Sequence, residues 1–158
     1  MSDSLTTSSV LDTIPFGACP IGGVATGGQP GPEAWAELAR AGVRTVVDLR
    51  LPEEPRGHDE PAAVRAAGLE YVALPMSQAT LTDATFDQFR AIMRDAARRP
   101  IFVHCATSNR VGALLLPYYA LDLHHGLSDA VQLAQRSGLR SPELTNMAID
   151  YVHRHTGA

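Results

Sequence analysis

Cys105 stands at the end of an apolar run, Ile101 to His104, and Arg110 follows it after four residues, Ala106, Thr107, Ser108 and Asn109. A thiolate is a strong nucleophile, and a guanidinium is a planar donor that grips anionic oxygen at two points. Set at the ends of one short turn between a strand and a helix, they describe an anion site. The backbone N–H groups of Ala106, Thr107, Ser108 and Asn109 can point inward, the helix N-terminus adds partial positive charge, and Arg110 closes the ring. A thiol in that field is driven toward the thiolate, the form that attacks. The plainer alternative is a buried cysteine beside a helix-start arginine paired with an acid. The joint occurrence of strand, cysteine turn, arginine and helix favours the chemical reading.

The elements that must position this turn are legible around it. Pro32 at a first helical position, Trp35, Leu38 and Ala39 at helical spacing, and Gly42 as a stop predict a first helix. The β-branched run Val43 to Leu49 predicts a buried strand, Glu60 to Ala67 a brief helix closed by Gly68, and Tyr71 to Leu74 another short strand. Thr82 caps a longer helix whose Phe86, Phe89, Ile92, Met93 and Ala96 form one stripe, and Pro100 ends it. After the strand Ile101 to His104 come helices from about Arg110 to Leu121, from Ser128 to Arg136, and from Pro142 to His153 with Ser141 as cap. The alternation predicts a single-domain α/β layered fold with a mainly parallel central sheet flanked by helices. Its ligand binds where loops leave the carboxyl ends of strands. The Ser- and Thr-rich stretch Met1 to Asp12 is expected to be a flexible lead-in, with the domain spanning residues 13–158. The segment GGVATGGQPGP lacks the spacing of a dinucleotide fingerprint and reads as a short strand and turn.

Composition narrows the function. A length of 158 residues suits one domain with a real core. With 13 basic against 17 acidic side chains and a net charge of −4, there is no broad cationic face for nucleic acid or an anionic membrane. All the basic residues are arginines, which excludes Schiff-base and Walker-lysine chemistry. Two cysteines are too few for a disulfide scaffold. The opening MSDSLTTSSV has no basic segment leading into an apolar one, and the apolar stretch Val111 to Leu121 is broken by Gly112 and Pro117, so a cytoplasmic protein is expected. His124 and His125 are adjacent and lack the spacing of helical metal ligands; no metal or other cofactor is expected.

Three segments, ATGGQPGPEAWAELARAGVRTVVDLR, GLEYVALPM and VHCATSNRVGALLL, occur in an order and spacing that resemble a known family. It is that of the cysteine-dependent phosphatases of protein tyrosine and dual-specificity type, in the bacterial branch called beta-lactamase-hydrolase-like phosphatase-like domains. The resemblance covers nearly the whole chain. It implies a parallel sheet flanked by helices, a cysteine, here Cys105, that attacks phosphorus, and an arginine, here Arg110, that holds the phosphoryl oxygens. The substrate so implied is a phosphorylated protein or small phosphoester.

The chain departs from the wider superfamily at four places. Its loop has four residues between cysteine and arginine where five are usual, a shortening that resembles the persulfide ring of rhodanese-type sulfurtransferases. Ser108 replaces the loop glycine and lacks its freedom at positive φ. Val111 replaces the hydroxyl residue after the arginine, which slows breakdown of a phosphoenzyme. Gln78 lies where an aspartate general acid is normal, leaving Asp83 as the nearest substitute, although a carboxylate at a helix start also complements the helix dipole.

The leading expectation is a phosphatase working through a cysteinyl-phosphate on Cys105; the alternatives are a sulfurtransferase carrying a persulfide on Cys105 and a non-catalytic phosphate-binding module. His104 points to the side of its strand opposite Cys105 and is expected to make a fixed hydrogen bond beneath the loop. Asp48 and Arg50 end a strand on the same edge and are equally explained by a salt bridge. Cys19 is a resolving thiol only if folding brings it to Cys105.

Overall fold

A computed structural model of the chain describes residues 9–156. Five strands, β1 (Ala18–Ile21), β2 (Val24–Gly27), β3 (Thr45–Asp48), β4 (Glu70–Ala73) and β5 (Ile101–His104), form one sheet in the order β1-β2-β5-β3-β4. The short turn after β1 makes its pairing with β2 antiparallel; the other three pairings are parallel, as the helical crossovers require. The sheet is thus mainly parallel, as the strand–helix alternation predicts.

Helices cover both faces. On one lie α1 (Val10–Thr13), α2 (Ala34–Arg40) and α3 (Glu60–Ala66); on the other, α4 (Asp83–Arg94), α5 (Asn109–Pro117), α6 (Leu127–Arg136) and α7 (Pro142–His155). Strand alternation divides β5 between them. Ile101, Val103 and Cys105 pack with the α4–α7 layer, while Phe102 packs with Trp35, Val46 and Val64 on the α1–α3 side. Burial on both faces explains why these strands are β-branched runs rather than alternating ones. Since β5 is central, Cys105 emerges between the carboxyl ends of β2 and β3.

Two expectations change in detail. The helix after Arg110 stays α-helical only to Pro117, which lacks the N–H that continues the ladder, and Tyr118–Asp122 form a π turn. Val10 and Leu11, placed by sequence in the lead-in, are 4% and 9% exposed and pack in the same core cluster as Trp35. Residues 1–8 of that lead-in lie outside the described residues. The predicted caps are in place: Thr82 opens α4 in a capping box with Thr85, and Ser141 Oγ accepts from Leu144 N at 3.2 Å.

Candidate active site

The turn from Cys105 to Arg110 is held from outside. Cys105 O faces His104 Nδ1 at 3.3 Å, Ala106 O accepts from Gln29 N at 3.2 Å, Thr107 O from Arg140 Nη2 at 3.0 Å, and Ser108 O from Gly112 N at 3.1 Å. In a trans peptide the N–H points opposite to the C=O. Anchoring four successive carbonyls outward therefore turns the N–H groups of Ala106, Thr107, Ser108 and Asn109 toward the inside of the turn, the arrangement of an anion nest. Ser108 adopts the left-handed conformation, φ 67°, that the missing glycine predicts. Its hydroxyl donates to Ser137 O at 2.6 Å, which compensates the strain.

Gly138 makes room for that contact. With φ 108°, a Cβ placed there would lie 2.5 Å from Ser108 Cβ. Gly138→Ala is expected to destabilise the fold by about 2 kcal/mol or more, from left-handed strain and overlap together, and to shift the loop. Chemical denaturation and the turnover of phenyl phosphate check the two parts separately.

Arg110 is fixed by a residue that sequence reasoning passed over. Glu54, in the loop between β3 and α3, accepts from Arg110 Nη1 and Nη2, both at 2.8 Å, and Met76 O accepts from Nη1 at 3.2 Å. These contacts consume the end of the guanidinium. Nε–H and the second N–H of Nη2, which lie along one edge, remain as a two-point fork for oxygen. The hydrogen bonds to Glu54 hold Arg110 above its ordinary value despite burial, with the Cys105 thiol adding to the effect. The only sequence signal for Glu54 was an acid in a charged loop after a strand end.

The same pair sets an acid-dependent term. Hydrogen bonds from Arg110 bring Glu54 from 4.5 down to about 2, with lesser help from Leu51 N–H and the Arg50 charge against the effect of burial. A depressed folded-state value means stability that is present above pH 4.5 and lost as pH falls toward 2. Glu54→Gln is expected to flatten that part of a stability-against-pH curve by up to about 1 kcal/mol, the solvent screening a partly exposed pair. Denaturant melts at pH 6 and pH 3 measure it.

Beneath the turn, a buried polar network sets the height of the strand ends. His104 Nε2 lies 2.6 Å from Glu60 Oε2 and 3.8 Å from Asp48 Oδ1. Glu60 Oε1 accepts from Gln29 Nε2 at 2.8 Å, and Asp48 Oδ2 accepts from Arg56 Nε at 2.7 Å and Tyr71 Oη at 2.6 Å. Burial raises Asp48, but Arg56, His104 and Tyr71 together hold it below the usual carboxylate value. Both nitrogens of His104 face oxygen acceptors, so the ring is fixed as the sequence predicted. Asp48, Glu60 and His104 are the metal-ligand types that come together among the described residues, with donor atoms within 4.8 Å. Those atoms are spent on protein partners, the pattern of an internal ion network.

Residues 23–148 match a family described as PTP-NADK, a DSP-PTPase phosphatase fused to NAD+ kinase. The chain belongs to this phosphatase family. It is 33% identical over 102 residues to the Beta-lactamase hydrolase-like protein of Xylella fastidiosa. That alignment covers 62% of this chain and 22% of the relative; a second, to the protein of the same description in Agrobacterium fabrum, is 30% identical and covers 70% and 26%. The chain thus spans about a quarter of the length of these curated relatives. The solved structure of a DUF442 protein from Shewanella putrefaciens CN-32 superposes with a TM-score of 0.78 at 21% identity, covering 93% of this chain and 97% of that one. TpbA of P. aeruginosa in complex with pTyr gives a TM-score of 0.63 at 21% identity, covering 85% and 79%.

Other predicted site residues fall in different places. Gln78 is exposed in the turn Ser77–Thr80, next to the Met76 carbonyl that meets Arg110. Asp83 is exposed on the first turn of α4, its Oδ1 and Oδ2 taken by Arg154 Nη2 at 2.9 Å and Nη1 at 2.5 Å. Those bonds hold its carboxyl below the ordinary value, the wrong direction for a proton donor. Asp48 and Arg50 do not form the strand-end pair: Asp48 binds Arg56, and Arg50 turns to Glu54 and Gln29. Cys19 Sγ donates to Ile21 O, and no disulfide joins Cys19 to Cys105. No described helix is long and apolar enough to cross a membrane.

Proposed function

We propose that the chain hydrolyses phosphate monoesters through a cysteinyl-phosphate on Cys105. The phosphoryl group sits in the turn, its oxygens on the N–H groups of Ala106, Thr107, Ser108 and Asn109 and on the Nε edge of Arg110. The thiolate attacks phosphorus, the P–O bond to the alcohol breaks, and that oxygen leaves with the bond's electron pair. Water then attacks the cysteinyl-phosphate, the P–S bond breaks, and inorganic phosphate and the thiolate are released. One observation supports the reading above the rest: the four carbonyls of the turn and the far end of Arg110 are taken by protein partners, which leaves the turn N–H groups and the Nε edge of Arg110 for an anion beside Cys105. A persulfide needs fewer donors than this ring offers, which favours phosphate over sulfur transfer despite the short loop. The test is a parallel assay of p-nitrophenol release from its phosphate ester and of thiocyanate from thiosulfate plus cyanide. Phosphate turnover without thiocyanate is expected; the reverse would establish the sulfurtransferase.

The proton donor is where this reading departs from the usual pattern. With Gln78 in the loop and Asp83 paired to Arg154, the leaving oxygen departs without a protein acid, so esters of acidic alcohols such as phenols are the better substrates. Asp83→Asn is accordingly expected to change kcat by less than about threefold on both p-nitrophenyl and alkyl phosphates. A selective loss of about 100-fold on the alkyl ester would return Asp83 to the role of general acid. Soluble phosphoproteins and small phosphoesters in the cytoplasm are the proposed substrates, with no nucleic-acid or membrane partner.

A further inference from the structure

Two arginines share one carboxylate at the rim of the site. Glu54 Oε1 accepts from Arg110 Nη2 at 2.8 Å and from Arg50 Nε at 3.3 Å, so two guanidinium charges meet a single negative one. Arg50 is the less satisfied of the two: its side chain is only 10% exposed, Nε makes the long bond to Glu54, Nη1 lies on Gln29 Oε1 at 3.0 Å, and Nη2 has no protein hydrogen bond among the described residues. A nearly buried guanidinium with unspent donors calls for an anion.

Arg50 also lines a cavity of about 420 Å³, within the range of small-molecule sites. Its apolar walls come from Pro52, Pro61, Tyr71 and Pro75, with His58 and Arg56 on the polar side; Asp59 and Glu60 line it too, their carboxylates engaged by Ala62 N and by Gln29 and His104. Pro75 adjoins Met76, whose carbonyl binds Arg110, so cavity and phosphate turn are neighbours. We infer that this cavity is a second acid-binding subsite, in which Arg50 receives a carboxylate or phosphate borne on the ring of the same substrate whose phosphoryl group lies on Cys105. The substrate class is then a phosphomonoester with a second acidic group across one flat apolar spacer. The inference rests on the phosphate-turn reading and adds to it the identity of the neighbouring group.

His58 supplies a reporter. Its Nδ1 faces Arg56 O at 3.1 Å and its Nε2 accepts from the indole of Trp35 at 2.8 Å, and Trp35 is the one tryptophan of the chain. The experiment compares phenylphosphonate with 3-carboxyphenylphosphonate, neither of which is hydrolysed, by calorimetry on the Cys105→Ser protein. The carboxylate is expected to tighten binding about tenfold, to shift Trp35 emission, and to lose its advantage in Arg50→Met while Arg50→Lys keeps part of it. No gain from the carboxylate, a gain that survives Arg50→Met, or a gain without an emission change would overturn the subsite. Benzoate that binds without competing with 3-carboxyphenylphosphonate would also overturn it, since the anion would then be a separate effector. Turnover of phenyl phosphate by the unmodified protein is measured alongside: its absence counts against the phosphatase reading, while the ratio of phosphonate affinities still decides the subsite.

Discussion

Cys105→Ser is expected to lower phosphate release by roughly 10⁴-fold or more while leaving the fold and phosphate affinity intact. The substitution exchanges one chalcogen for another of similar size at a residue that is 1% exposed and packed with Val103 and Val111. The backbone contacts that anchor the turn are untouched, so the nest of N–H groups persists. A serine hydroxyl stays protonated at neutral pH and is a poor nucleophile toward phosphorus. Stopped-flow release of p-nitrophenol, with phosphate titration calorimetry as the control, separates the two effects. Residual turnover within about tenfold of the unmodified protein would mean that another group attacks.

Arg110→Lys should cost about 100-fold or more in kcat/KM for p-nitrophenyl phosphate. Lysine keeps the positive charge but offers a compact ammonium. It cannot hold Glu54 with two parallel bonds, as Arg110 does at 2.8 Å to each carboxylate oxygen, and still have an Nε edge to offer a phosphate. The loss should appear in kcat as well as KM, because charge on the equatorial oxygens is greatest when the P–O bond is breaking. Glu54→Gln should reproduce part of this fall, since a neutral amide leaves the guanidinium free to rotate. If Arg110→Lys leaves kcat unchanged, the anion ring is assigned to the wrong residue.

Much of this protein is determined locally and is therefore present in the one-dimensional string. The β-branched runs around Val46, the helix stops at Gly42 and Gly68, the caps at Thr82 and Ser141 and the strand into Cys105 each depend on residues within a few positions of one another. So does the Cys105–Arg110 turn, including the left-handed strain at Ser108. What sequence alone left open is set by pairs far apart in the chain. Glu54 meets Arg110 across 56 positions, and Glu60 meets His104 across 44, because the parallel order β2-β5-β3 brings the loop ends of three separate strands to one edge. No local pattern marks one acid of a charged loop as the partner of a distant arginine. Asp83 shows the converse. Its place near the expected donor is a fact of sequence, but α7 delivers Arg154 across 71 positions and takes both carboxylate oxygens. Local propensity and periodicity act over one or two turns of chain, whereas protonation state and donor direction depend on which charges share a low-dielectric space, and only the packed sheet and its two helical layers decide that.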